Sequence, residues 1–481
     1  MTTKSSLLFV IALALVSTSF AKPEPKKPAP SQAKSEKPIP MTTIMKKAAY
    51  EFVGVLAEQK KIEATEADKK ASILNSLSVS GSVGVGQTET IVHADPVTRS
   101  ATFNSTNSVS AALSFSLATW LGVKISDLTK ETQVEGLKLL RMTLASEVAG
   151  HHLTYQSSQG RITNIQVILY LLGLIKQKVD EGKLVLDDTR LALLSDRLAK
   201  FNVLMINEHR TFRIANANLE KFLGRPLPPP EPFIPQNKKA INELVGANSE
   251  GGLPIDLDAT WKGLPWDYIN NTYPVPPTAD QAFAKSQKNP SLIMAHLGEK
   301  LAKTVWYMTL ASNGPVFTIS ISRNFTDGLE WDETMPMDST VGSANLSIRI
   351  GAGIIHSLHS KDLLVESAKL STKAQKLGVK VNFVQLYESF GAATDQLVQL
   401  EKSFKVVLDA INNFKLITND NFDDFIGLLD ALDMTSMALY AQLAASTQSK
   451  IQIHGQMGTL LEQMEVEEAR EARDIEKNWK K

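Results

Sequence analysis

From residue 134 to residue 179 apolar side chains recur every seven positions. Val134, Val148, Tyr155, Ile162 and Leu169 share one heptad position, and Leu137, Leu144, Ile165, Leu172 and Val179 share the other, with His151 and Ser158 as interruptions. The pattern predicts one helix from about Lys124 to Val179, roughly 85 Å long at 1.5 Å per residue, and a counterpart from about Ser357 to Ile417 of about 90 Å. Neither fits inside a compact domain. Four shorter stretches instead alternate with period two, the mark of a half-buried strand: residues 77–86, 108–117, 316–322 and 343–350. Leu77, Val79, Val83 and Val85 share one face of the first and Ser78, Ser80, Ser82, Gly84 and Gly86 the other; Leu113 and Phe115, then Ile319, then Ile348 mark the apolar faces of the rest. The segments between paired strands, 87–107 and 324–342, are long and polar, and neither reads as a tight hairpin turn.

The order of elements occurs twice: a helix of about thirty residues, two strands, a very long helix, a turn, and a helix of about thirty-five. Residues 41–224 form the first repeat and 278–461 the second, joined by a Pro-rich linker over 225–277. In each repeat the two shorter helices nearly add up to the long one, so stacked end to end they can pair alongside it. A charged C-terminal tail occupies 462–481. Before the repeats, Lys4, the apolar run Leu7 to Val16 and the small residues Ser19 and Ala21 predict a signal peptide over 1–21; the Pro/Lys-rich segment 22–40 predicts an extended tether. Lys22 at the new N-terminus leaves no cysteine for a lipid anchor.

Composition then closes several routes. Lys+Arg and Asp+Glu both total 51, so no net field attracts nucleic acid. There is no cysteine, which removes thiol catalysis and thiolate metal sites. Neither a nucleotide-binding Gly-rich loop, nor a Gly-x-Ser-x-Gly elbow, nor a His-Glu-x-x-His motif occurs, and the reading is of a protein without enzyme activity or cofactor. His356 and His359, three apart at a helix start, have no third ligand near them in sequence and read as ordinary histidines, and the adjacent His151 and His152 diverge on a helix. No metal site is expected.

The order of elements resembles the outer-membrane efflux proteins, the TolC family, over nearly the whole mature length. Asn289-Pro290, leading through a helix to Pro315 and the third strand, looks like that family's Asn-Pro helix. Residues 181–201 and 419–440 look like its two helix-hairpin turns, although Asn421 stands where Gly is usual, Gly427 replaces an Asp, and the first repeat has Ala48 to Gln59 in place of an Asn-Pro pair. The resemblance implies a mainly α chain with membrane β: a trimer whose 12-stranded β-barrel, four strands per chain, continues into a long periplasmic α-helical barrel. Four strands cannot close a barrel in lipid, and three chains leave a water-filled bore where two would nearly fill it. The apolar strand faces would then meet lipid and the small polar faces the lumen, with Trp120 and Trp331 suited to the two interfaces.

Function follows by the same resemblance: an outer-membrane exit duct of a tripartite efflux or type I secretion system, passing small molecules or proteins outward. Its implied partners are two further copies of itself, a periplasmic adaptor, an inner-membrane RND, ABC or MFS transporter, and outer-membrane lipid. The rival reading is a periplasmic coiled-coil adaptor or scaffold of a secretion apparatus, also exported and heptad-rich. Asp187, Asp188, Asp423 and Asp424 begin helices, where a carboxylate caps free N–H groups and suits the dipole. Asp430 lies deeper in its helix, and the resemblance makes it one of a ring of carboxylates at the periplasmic constriction, with Asp188 helping to hold the entrance closed. Thr418 and Asp423 stand where the family's latch has Tyr and Arg, so this latch must differ. Gly182, Leu184, Asp187, Asn421 and Phe422 are expected at the periplasmic tip, where an adaptor hairpin docks.

Overall fold

The computed structural model describes residues 40–76, 78–95, 98–227, 273–312, 315–328, 339–348, 353–414 and 417–479. The signal peptide, nearly all of the tether, Leu77, the centre of the linker and Trp331 lie outside the described residues. Helices α1 (Met41–Glu51) and α2 (Val53–Ser76) lead into strands β1 (Ser78–Asp95) and β2 (Thr98–Ser116); α3 (Leu117–Asp180) and α4 (Asp188–Leu223) complete the first half. The second half repeats the plan with α5 (Ala279–Lys285), a 3-10 turn (Ser286–Lys288), α6 (Pro290–Ser312), β3 (Pro315–Gly328), β4 (Ser339–Ile348), α7 (Ile354–Asn412) and α8 (Phe422–Met457), and α9 (Leu460–Trp479) follows. Residues 462–479, read as a charged tail, are thus helical, and α9 packs on α1, α3 and α8.

The strands form one antiparallel sheet in chain order, β1-β2-β3-β4. Its register puts Val79, Leu113, Ile319 and Ala344 in one lateral row, Phe115, Phe317 and Leu346 in another, and Ser80, Ala112, Ser320 and Ser343 in a third. The predicted alternations therefore run in phase across the sheet, as a two-faced sheet requires. One expectation fails: the polar segments 87–107 and 324–342 are not loops throughout, because β1 and β2 pair as far as Asp95 and Thr98 with a register shift near His93, β3 runs on to Gly328 and β4 begins at Ser339. Thr and Val in these polar segments keep β propensity, and ladder hydrogen bonds override their polarity.

Below the sheet the helices keep the same lateral order. α2 packs on α3, α3 on α6 and α6 on α7; further along, α4 packs on α3, α3 on α8 and α8 on α7. Each strand thus continues into a helix at its own place in line, and the short helices share the length of α3 and α7 as expected from their lengths. The heptad residues Leu137, Leu144, Val148, Tyr155, Ile162, Ile165 and Leu172 are all buried. Gly160 on α3 lies against the Tyr440 ring of α8, which a Cβ would meet at 2.3 Å.

The two halves share a joint. α8 ends in Gly458 at φ +77, and its last turn meets the break before α6: Asn289 Nδ2 donates to the Gln456 carbonyl (2.6 Å) while its Oδ1 accepts from the N–H groups of Ser291 (2.8 Å) and Leu292 (3.3 Å). Pro290 opens α6, where a missing N–H costs nothing. In the first half the break falls at Phe52, one residue before a helix of 24 residues against 23 in α6, so Phe52 takes the place of Asn289. α4 ends in Gly224 at φ +71, and here ring contact replaces the amide: Phe52 lies 5.2 Å from Phe222 between ring centroids, with Lys221 Nζ 5.3 Å over it.

Both helix-ending glycines hold a left-handed conformation that costs about 1–2 kcal/mol for other residues, but their surroundings differ. A Cβ at Gly224 meets nothing within 4 Å, whereas one at Gly458 would meet the Lys288 carbonyl oxygen at 2.1 Å. Gly458→Ala is expected to lower the melting temperature markedly more than Gly224→Ala in thermal circular dichroism; equal shifts would mean that the close approach at the second joint is unimportant.

Candidate functional site

The end of the molecule farthest from the sheet is where α3 turns into α4 and α7 into α8, and both turns are built by local hydrogen bonding. α3 stops at Gly182, φ +69, with Lys183 N donating to the Lys178 carbonyl at 2.9 Å, a helix-ending arrangement that only glycine adopts without strain. The chain then extends through Leu184, Val185 and Leu186 to Asp187, whose carboxylate caps α4 by accepting from Arg190 N at 2.9 Å. In the second turn Asn421 has φ −110, so its side chain is used in another way than a left-handed turn would use it: Oδ1 accepts from Thr418 N at 2.7 Å. The turns touch through Asp187 N, which donates to Asn419 Oδ1 at 3.1 Å.

Beneath the turns a shared core fixes them. Leu184 and Leu186 from one hairpin and Ile417, Phe422 and Phe425 from the other belong to one buried cluster, and Phe414 lies 5.0 Å from Phe425 between ring centroids. Two tip residues expected to face solvent are therefore inside: Phe422 is 0 % exposed and Leu184 7 %. Phe422 opens α8 within the cluster that α3 and α7 both line, and Leu184 starts an extended stretch whose alternation turns Leu184 and Leu186 inward. That alternation points Val185 outward, 78 % exposed. Three consecutive apolar residues in a turn carried this signal, which attention to Leu184 alone missed. Gly182, Asp187 and Asp188 are exposed, and Asn421 is half-buried.

An ionic ladder joins α4 to α8. Arg190 reaches Asp423 Oδ2 with Nε and Nη2, each at 3.1 Å, and Asp187 Oδ2 with Nη1 at 2.7 Å. One heptad further on, Arg197 Nε lies 3.0 Å from Asp430 Oδ2 and Lys200 Nζ 2.8 Å from Asp430 Oδ1. Asp430 is thus met within its own chain by two cations, one of which, Arg197, also reaches Asp196 Oδ2 at 3.2 Å. Asp188 and Asp424 are exposed in the first turns of α4 and α8, where a negative charge favours the N-terminal dipole. The Asp187 carboxyl is held below its ordinary value, first by the Arg190 N–H and then by the Arg190 guanidinium. The cationic half of the ladder escaped the sequence reading, although Arg190 and Arg197 repeat the seven-residue spacing of Asp423 and Asp430.

Deeper in the wall, Arg161 of α3 sits between Glu208 of α4 and Asp433 of α8, at 2.6 Å and 3.5 Å. One turn along, Asn164 Nδ2 donates to Ser436 Oγ at 2.8 Å. No local pattern could reveal a set drawn from three helices this far apart in sequence. His356 and His359 are exposed at the start of α7, His152 is buried in α3, and Trp120 is exposed in the first turn of α3. Among the described residues no group of three or more His, Asp or Glu is placed to hold a metal ion, and no helix is long and apolar enough to cross a membrane.

No family model matches the chain, and neither does any curated protein. Solved structures do. The outer-membrane channel OprN aligns with a TM-score of 0.57 at 15% identity, over 87% of this chain and 89% of its own. The outer-membrane protein VceC from Vibrio cholerae gives 0.56 at 10% identity, over 87% and 96%. The open state of the MtrE outer-membrane channel from Neisseria gonorrhoeae gives 0.59 at 11% identity, over 88% and 89%. The fold is that of these channels, nearly end to end on both sides.

The Asp187 cap and the ladder have separable consequences. Since the Asp187 carboxyl is depressed in the folded chain, its contribution is present above the unfolded aspartate value and is lost as pH falls through the folded one. Arg190→Ala keeps the capped backbone N–H but removes the bridge to Asp423, and is expected to speed proteinase K cleavage within residues 181–187 with little change in far-ultraviolet circular dichroism. Cleavage as slow as in the unaltered chain would show that the ladder does not hold the tip.

Proposed function

We propose that the chain is one third of an outer-membrane exit duct: a trimer whose sheets close into a 12-stranded barrel and whose helices continue as a periplasmic tunnel. The observation that carries this is the shared lateral order of sheet and helices. β1 and α2 form one margin of the chain and β4 and α7 the other, and among the described residues each marginal strand is paired on one side only. Unpaired strand margins are not tolerated in lipid, so copies must meet margin to margin. The helical margins are apolar where they would meet. Leu363, Leu370, Leu377, Val381 and Val384 are exposed along α7, as are Val53 and Leu56 on α2 and Val203, Ile206 and Ile214 on α4. Such exposed rows call for partners.

In this reading the in-phase rows of the sheet face lipid at Val79, Leu113, Phe115, Ile319 and Ile348, and water at Ser78, Ser80, Ser82 and Gly84. The barrel lies in the outer membrane and the tip projects into the periplasm. Energy comes from an inner-membrane transporter of the RND, ABC or MFS type through a periplasmic adaptor. The adaptor contact falls at the exposed tip, on Gly182 and Val185, and not on the buried Phe422 and Leu184. The Arg190–Asp423 and Arg197–Lys200–Asp430 contacts serve as the entrance latch, with the cations on α4 and the carboxylates on α8. Thr418 binds Asn421 through its backbone and has no part in that latch.

Purified trimer is expected to conduct ions in planar bilayers, with Ser80→Trp and Gly84→Trp each lowering single-channel conductance while assembly persists. A silent protein that stays soluble without detergent would end the duct reading. Leu377→Glu is expected to give monomer on size-exclusion chromatography with helicity retained; an unaltered trimer would remove α7 from the contact between copies. Gly182→Trp and Val185→Asp should weaken capture of the adaptor, and undiminished capture by both would move docking away from the tip.

A further inference from the structure

The buried set around Arg161 is unbalanced. One guanidinium faces two carboxylates, and the three side chains are 14 %, 13 % and 9 % exposed for Arg161, Glu208 and Asp433. Glu208 is well placed at 2.6 Å, while Asp433 stands at 3.5 Å from Arg161 Nη2, the edge of hydrogen-bonding range. The other charges acting on Asp433 are Lys200 of α4 and Asp430 of α8, and those two are bonded to each other. α7, also packed on α8, gives apolar Leu400 and Phe404 to the buried cluster that holds Leu429 and Leu432 of α8, and its Glu401, Lys402 and Lys405 are exposed. Fully ionised, the set would leave one net negative charge between three helices, which is costly away from water.

We propose that this set binds a proton when α3, α4 and α8 are packed together and releases it when α8 separates from the other two, so that acid favours the closed duct and alkali the open one. The inference rests on the exit-duct reading above, in which contacts between α4 and α8 latch the entrance, so that opening parts α8 from α4. One proton on either carboxyl leaves a neutral set in which the other carboxylate keeps the guanidinium. Burial pushes both the Glu208 and the Asp433 carboxyl upward from the ordinary range, and Arg161 opposes this only in part. The sign follows from linkage. A carboxyl raised in the packed state stabilises that state in full below its ordinary value, and the contribution is lost as pH rises through the raised one. Separation returns both carboxylates to water.

The test is the open probability of the reconstituted trimer as a function of pH, with the variants Glu208→Gln and Asp433→Asn. A single coupled proton makes the open-to-closed ratio rise by up to about tenfold per pH unit above the ordinary carboxylate range. Glu208→Gln puts a permanently uncharged group in the same space and is expected to stay biased toward closure with a flattened profile; Asp433→Asn should do the same. A profile in both variants as steep as in the unaltered protein, or an unaltered protein that opens in acid, overturns the proposal. The melting temperature in detergent against pH is a second readout, independent of conduction, in which both variants should lose part of the acid-linked stabilisation. If no pH gives conductance, the duct reading fails, while the melting curves still decide whether the packed helices take up the proton.

Discussion

Among the described residues the four-stranded sheet bonds outward on neither margin, which leaves two rows of backbone N–H and C=O groups unpaired by a neighbouring strand, and the rest of the architecture is arranged around that constraint. Because every strand runs into a helix at its own lateral position, the helical layer inherits the same two margins. The exposed apolar residues of α7, α2 and α4 are therefore no defect of a surface but the helical extension of an unfinished sheet. One geometric rule accounts for both the sheet and the helical layer, and helices of 64 and 59 residues are the long rails that carry the order away from the sheet.

The tip obeys a different balance. Its apolar residues are spent inward, where Leu184, Leu186, Phe422 and Phe425 lock the turns to each other, and its charges form bonds across α4 and α8. Exposed ion pairs of this kind contribute little to stability each. A contact that holds position without contributing much stability is suited to a latch, which must be undone repeatedly. The deeper Arg161 set is the reverse: enclosed, and with one cation between two carboxylates.

Where the sequence spoke in periods, it was legible. Heptads marked α3 down to individual buried residues, and alternation marked all four strands, because each pattern is the direct imprint of a repeating geometry. It failed where polar sequence took up strand hydrogen bonding beyond Gly86, and where a residue's direction depended on a neighbour in space, as for Phe422. The Asp187 cap was readable because its partner is three residues away; the Arg161 set was not, because its members meet only after the hairpins have folded together. Phe52 lies between these cases. No motif marks it, yet its place before α2 matches that of Asn289 before α6 once both helices are aligned.

That pairing has a mechanical side. The joint at Asn289 is held by directed hydrogen bonds and by a glycine seated against a backbone carbonyl, contacts that break sharply when displaced. The joint at Phe52 is held by rings and a lysine stem, which slide past one another while keeping most of their contact. A sideways push at the far end is a lever of long arm acting on two bearings of unequal compliance. The duplicated chain thus tilts more readily about one bearing than the other, and its two hairpins, alike in outline, are not mechanical equals.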